Sequence, residues 1–215
     1  MKKIGVLGSG QVGQVLSDGF LKHGHEVMRG SRDPSKLADW KKGAGERART
    51  GTFEETAAFG ELVVLAVKGS AAEECVAACG AALDGKPVLD ATNPIADAPP
   101  VNGVLRYFTD QNDSLMERLQ RRAPHAHFVK AFSSVGSALF IDPALAGGVR
   151  PSMFICGDDD GAKAAAKALL AEVGWDTEDM GKAEAARAIE PLCMLWCISG
   201  FVSNDWTHAF KVLRP

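Results

Sequence analysis

The chain has 215 residues, and its 24 basic and 27 acidic side chains give a formal net charge of −3 with no long basic run, which argues against nucleic acid as a partner. Hydrophobic residues make up 46% and charged residues 24%, close to globular averages, which excludes disordered and fibrous classes. Five cysteines without a secretion signal argue against a disulfide framework, and the apolar stretches read as too short for a membrane span, so a cytoplasmic globule is expected.

Strand-like and helix-like segments alternate from the start. Ile4–Leu7 reads as a buried strand, and Val12, Val15, Leu16 and Phe20 then form the apolar stripe of a helix. Glu26–Arg29 is a second strand, and Asp33 before Pro34 signals a helix start. The polar stretch from Gly43 to Gly51 reads as a connection. Thr52 with Glu55, Ser70 with Glu73, and Ser114 with Glu117 each match the pattern of a capping box. Between them lie strand-length apolar runs at Glu61–Val67, Pro87–Thr92 and His127–Phe132.

Strands separated by helices predict βαβ units and a mainly parallel sheet covered on both faces. Pro94–Asp113, rich in Asp, Asn and Pro, reads as a long loop beyond a strand's C-terminal end, where open α/β sheets place ligands. Further on, SMFICG and WDTEDM are strands around the helix DGAKAAAKALLAEVG. From Lys182 the chain reads as helical and apolar, with Pro191 kinking it or starting a new helix. The predicted fold class is α/β: a Rossmann-type doubly wound sheet over residues 1–132, and a small C-terminal α/β and helical extension over 133–215 packed on the same sheet. The run PLCMLWCISGF is hard to leave in water and points to a homodimer contact.

Gly8, Gly10 and Gly13 spell G-x-G-x-x-G between that first strand and helix, the context of a dinucleotide turn. Gly8 permits the tight turn, Gly10 lets a pyrophosphate approach, and Gly13 lets the helix pack closely on the sheet. Which dinucleotide binds depends on the tip of the second strand. Asp33 lies at the spacing of an acid that would hold a ribose 2'-hydroxyl, but its place before Pro34 suits a helix cap. Ser31, Arg32 and Lys36 instead gather a hydroxyl and two cations suited to a 2'-phosphate, so NADP(H) is expected over NAD.

GVLGSGQVGQVL together with GSRDPSK, LAVKGSAAE, DATNP, VKAF, MFICGDD and EPLCMLW resembles the NADPH-dependent oxidoreductases typified by NADP:coenzyme F-420 oxidoreductase. The cytosolic NADPH-binding domain of the six-transmembrane metalloreductases is similar. The resemblance implies that NADP lies along the C-terminal edge of the sheet with its nicotinamide facing a deazaflavin or flavin ring, so that coenzyme F-420, FAD or FMN would be the second substrate. It implies that Ser9, Gln11 and Val12 join the glycines at the pyrophosphate, and that Ser31, Arg32 and Lys36 hold the 2'-phosphate. It places Val67 and Lys68 at the end of the fourth strand beside the dinucleotide, Asn93 and Pro94 at the nicotinamide ribose, and Ala131 and Phe132 near the nicotinamide. Ser133 departs from the family block, which carries a side-chain amide there.

Hydride transfer between stacked rings needs position and dryness more than an acid or base, so no catalytic residue is assigned. His125 and His127 read as satisfied histidines at a strand entrance, and Asp158–Asp160 as a helix cap; no metal site is expected. Cys75 with Cys79 and Cys193 with Cys197 share helix faces as packing groups, and Trp196 and Trp206 read as core or dimer residues. Two other functions fit the glycine turn: an NADPH sensor without turnover, and a small imine or keto-acid reductase. Relatives of pyrroline-5-carboxylate reductase add a larger helical domain than the residues after Met180 provide.

Overall fold

The computed structural model describes residues 1–145 and 148–215. The body is built from β1 (Lys3–Leu7), α1 (Gln11–Lys22), β2 (Glu26–Gly30), α2 (Ala38–Gly43), β3 (Ala48–Gly51), α3 (Phe53–Phe59), β4 (Leu62–Leu65), α4 (Ala72–Cys79), β5 (Pro87–Asp90), α5 (Leu115–Arg122) and β6 (His127–Lys130). Its six strands pair in parallel in the order β3-β2-β1-β4-β5-β6. Strand order reverses between β1 and β4, the switch point at which doubly wound sheets bind ligands. The chain then adds β7 (Ser152–Ile155), α6 (Asp160–Glu172), β8 (Asp176–Asp179) and α7 (Ala186–Ser203).

Strands covered on both faces should be apolar throughout, and β4, Leu-Val-Val-Leu, is buried at every position. One face is filled by Leu16 and Phe20 of α1, Leu169 and Leu170 of α6, and Trp196 of α7. The other is filled by Phe53 and Ala57 of α3, Val76 of α4, Leu119 of α5 and Ile189 of α7. Residues from both sides of Phe132 thus share both cores. β7 and β8 form a separate two-stranded parallel sheet, tied to the edge of the main one by an isolated bridge in which the Lys130 N–H donates to the Cys156 carbonyl at 2.9 Å. All five cysteines are free, and burial pushes the Cys156 thiol up to about 12.

Helix starts follow the sequence signals in part. Thr52 and Glu55 form the full reciprocal capping box of α3. Ser114 caps α5, but Glu117 accepts from the Ser114 hydroxyl at 2.7 Å and from Arg187 instead of reaching the backbone N–H of the cap residue. Ser70 caps nothing: it lies inside a 3-10 turn, Gly69–Ala71, and α4 starts after it without a side-chain cap. The stretch read as a connection before Gly51 contains the short edge strand β3. Pro191 lies inside α7, which continues through it. Against expectation, the helical run Ala183–Ser203 is long and apolar enough by composition to cross a membrane, with a mean hydropathy of 1.3. It also carries Glu190, which is buried, and Arg187, which pairs with Glu117 at 2.6 Å.

Candidate functional site

The dinucleotide turn occupies Gly8–Gly10, between β1 and α1. Gly8 has φ +151°, and a Cβ there would lie 2.3 Å from the Ala66 carbonyl oxygen, so only glycine fits. A Cβ at Gly13 would meet the Gly8 carbonyl oxygen at 2.5 Å, which lets α1 seat directly on the turn. Among the described residues nothing lies within 4 Å of the corresponding position at Gly10, leaving its backbone open. Ser9 and Gln11 are exposed and Val12 half-buried. The start of α1 has no side-chain cap, so its first N–H groups and the positive end of its dipole are free for an anion.

At the tip of β2, Ser31 is buried and its hydroxyl accepts from the Asp33 N–H at 3.2 Å. Asp33 accepts from the hydroxyl and N–H of Ser35, at 2.6 and 3.1 Å, capping the 3-10 turn Pro34–Leu37; these bonds hold its carboxyl below the usual range. Asp33 is therefore the cap expected from its position before Pro34. Arg32 and Lys36 are exposed and line one cleft of about 300 Å³ with Ser9, Gly10, Ser31, Val67 and Lys68. Glu74 of α4 faces Arg32 across it at 3.6 Å, a contact sequence reading missed because the two residues share no local motif.

Val67 and Lys68 lie just beyond β4, which ends at Leu65, rather than inside it. The Lys68 ammonium pairs with Asp97 of the long loop. Asn93 and Pro94 follow β5, and the Asn93 amide donates to the Ser133 carbonyl at 3.0 Å. Asn93 Oδ1 and Ser133 Oγ are both buried without a hydrogen-bond partner among the described residues. Ala131 and Phe132 lie just past β6, with their side chains in the core, Phe132 against Phe140 at 5.2 Å. Their backbone N–H groups donate to the Asp90 carbonyl and to the Met153 sulfur, both at 3.1 Å. Phe132 has φ +60°, an uncommon conformation for a bulky residue and a mark of strain where sites are built.

Beneath this edge lies a charge network that sequence reading did not find. The Lys130 ammonium donates to Asp90 at 2.8 Å and to the Thr92 carbonyl at 2.7 Å, and pairs with Glu190 of α7 at 2.9 Å. The other bonds of the Glu190 carboxylate come from the N–H groups of Leu115 and Met116 at the start of α5, both at 3.0 Å. Asp90 also accepts from the N–H and hydroxyl of Thr92, at 2.9 and 2.6 Å, fixing the turn that leads to Asn93. Under the other end of the site, Arg29 of β2 donates to the carbonyls of Gly8 and Gly10.

The chain is similar to known proteins in sequence and in fold. Residues 3–94, from β1 to the start of the long loop, match the family model described as NADP oxidoreductase coenzyme F420-dependent. A crystal structure from Arthrobacter sp. FB24, described as an F420-dependent NADP-reductase, is 32% identical, covers 100% of both chains and superposes with a TM-score of 0.92. The chain belongs to this F420-dependent NADP oxidoreductase family. The metalloreductase STEAP3 of Rattus norvegicus is 27% identical over 190 residues, 88% of this chain, which spans only 36% of that relative's length. Outside the family, a reductive aminase from Aspergillus terreus in complex with NADPH shares the fold at 19% identity and a TM-score of 0.69; the match covers 95% of this chain and 63% of that one.

Proposed function

We propose that the chain transfers a hydride between NADP(H) and a deazaflavin such as coenzyme F-420, or a flavin ring. The observation that carries this reading is the single cleft in which the glycine turn meets Ser31, Arg32 and Lys36. The N–H groups at the start of α1 would take the pyrophosphate. Arg32 and Lys36, with the buried Ser31 hydroxyl, would take the 2'-phosphate by charge-assisted bonds. At the other end, among the described residues, Asn93 Oδ1 lacks a donor and Ser133 Oγ lacks a partner. A nicotinamide carboxamide offers an N–H to the first and a carbonyl to the second, so the residues present fit the cofactor.

The cofactor supplies the hydride, and the protein's share is position. Asp90 and Lys130 fix the turn carrying Thr92 and Asn93, while the Asn93–Ser133 bond ties the ends of β5 and β6 together. A ring held at a rigid edge reacts without an acid or base supplied by the chain. Family membership supports the acceptor class. Phe201 and Val202 of α7, exposed beside Gly103 in the turn between Val101 and Val104, and Leu195, exposed on the same helix, support pairing of two copies.

Stopped-flow absorbance with NADPH and either coenzyme F-420 or FMN tests the reading. Oxidation of NADPH is expected with one of them; none with either overturns it, and tight NADPH binding without turnover would instead favour a sensor. Arg32→Ala should weaken NADPH by roughly tenfold or more and leave NADH nearly unchanged, since only NADPH carries the phosphate.

A further inference from the structure

Arg29 is buried, 1% exposed, in a strand that otherwise turns apolar and small side chains inward. Its Nε donates to the Gly8 carbonyl oxygen at 3.1 Å and its Nη2 to that of Gly10 at 2.7 Å. The guanidinium lies over the Trp40 ring, 5.3 Å from its centroid, and the Trp40 indole N–H donates to Asp18 at 2.7 Å. Arg29 makes no ion pair with a described carboxylate; burial lowers its proton affinity, and the charge of Asp18, on the far side of the Trp40 indole, opposes this. A buried cation without a counter-ion is unfavourable by itself, so its position needs a reason.

The reason lies in peptide geometry. In a planar trans peptide the C=O and the next residue's N–H point in opposite directions. Arg29 draws the Gly8 and Gly10 carbonyls inward, which turns the N–H groups of Ser9 and Gln11 outward. Neither of those N–H groups is taken by a protein acceptor among the described residues.

We propose that Arg29 is a positioning residue for the dinucleotide pyrophosphate: from beneath the turn it fixes the direction of the Ser9 and Gln11 N–H groups and leaves an unneutralised positive charge behind them. Without it, the Gly8–Ser9 peptide could flip and present a carbonyl to the anion, whereas the Gly10 carbonyl keeps the Gln14 N–H at 3.0 Å and loses only the charge behind it. Arg29 touches the turn and not the ligand, so it acts differently from Arg32, which lines the cleft itself. This inference rests on the dinucleotide reading above.

The test is calorimetric titration of the wild-type chain, Arg29→Met and Arg29→Lys with NADPH, NADH and adenosine 2'-monophosphate, the last of which has the 2'-phosphate but no pyrophosphate. Arg29→Met should weaken NADPH and NADH by the same factor, roughly tenfold, the worth of charged hydrogen bonds. Adenosine 2'-monophosphate should bind as before, and Arg29→Lys should recover part of the loss. Arg32→Ala should give the opposite pattern, weakening NADPH and adenosine 2'-monophosphate while sparing NADH. Unchanged NADPH affinity in Arg29→Met overturns the inference, as does an equal loss of all three ligands, which would mean general loosening. If Arg29→Met does not fold, Arg29→Lys decides: a smaller parallel loss of both dinucleotides supports the inference and no loss overturns it. A wild-type chain that binds no dinucleotide overturns the underlying reading and this inference with it.

Discussion

Lys130, Asp90 and Glu190 are among the least exposed charged residues described, each 1% exposed or less. Burial alone would depress the Lys130 ammonium, yet the charges and hydrogen bonds of Asp90 and Glu190 lift it above the ordinary lysine range. A raised folded value means the contribution is fully present at neutral pH and is lost only as pH rises past that value. Lys130→Met should therefore cost about 3–5 kcal/mol at pH 7, because it strands two buried carboxylates. Urea denaturation checks this, and a loss below about 1 kcal/mol would show that the network relaxes or rehydrates. The glycine turn and the Asp33 cap were legible in the sequence because each is a local rule about neighbouring residues. Arg29 and Lys130 were not, since their partners lie 19 and 21, and 40 and 60, residues away; an isolated charge within a strand was the available signal.

Among the elements, legibility tracked local chemistry as well. The strong helix of α6 and the buried run of β4 read directly from their patterns. β3 is four residues of mixed polarity, Ala-Arg-Thr-Gly, and pairs only with β2, so no run of apolar residues marked it. The Ser70 pattern failed because the turn after β4 is tight: a Cβ at Gly69 would lie 1.9 Å from the Asn93 carbonyl oxygen, and the chain enters a 3-10 turn there. The apolar character of α7 was evident, but not how little of it the body would cover. Leu195 and Val202 remain 56% and 66% exposed. Light scattering should give a dimer, and Val202→Glu with Phe201→Glu should shift it to monomer without loss of helical content; a wild-type monomer would remove the pairing proposal.

For the molecule as a whole, the alternation of strand and helix was enough to predict a parallel sheet, whereas the route by which the C-terminal segment joins it depended on contacts no periodicity encodes. The same long-range contacts shape the response to acid. Burial lowers His25 below its ordinary value, with Glu172 opposing. Burial would raise Asp179, but its bonds from Lys167, Gly181 and Lys163 bring it down to about 2. Hydrogen bonds from Arg187 and Arg214 likewise lower Glu117 and Glu178. In every case the unfolded chain binds more protons, so stability must fall as pH falls. Thermal melts should show a first decline below about pH 6.5, from His25, and a steeper one between 3.8 and about 2, where Asp179 is among the carboxylates lost. His25→Gln should flatten the first decline alone; an unchanged profile would assign it to other groups.

Glu190 also bears on how the molecule is made. Synthesis runs from the N-terminus, so Asp90, Lys130 and the start of α5 all emerge before the carboxylate that joins them. Until α7 arrives, a nascent chain holds an ammonium with one carboxylate fewer, and two N–H groups, of Leu115 and Met116, without their acceptor. Completion of this charge network thus waits until Glu190 has been made, and any fusion, split or shortened version that ends before Glu190 leaves the sheet without that tie.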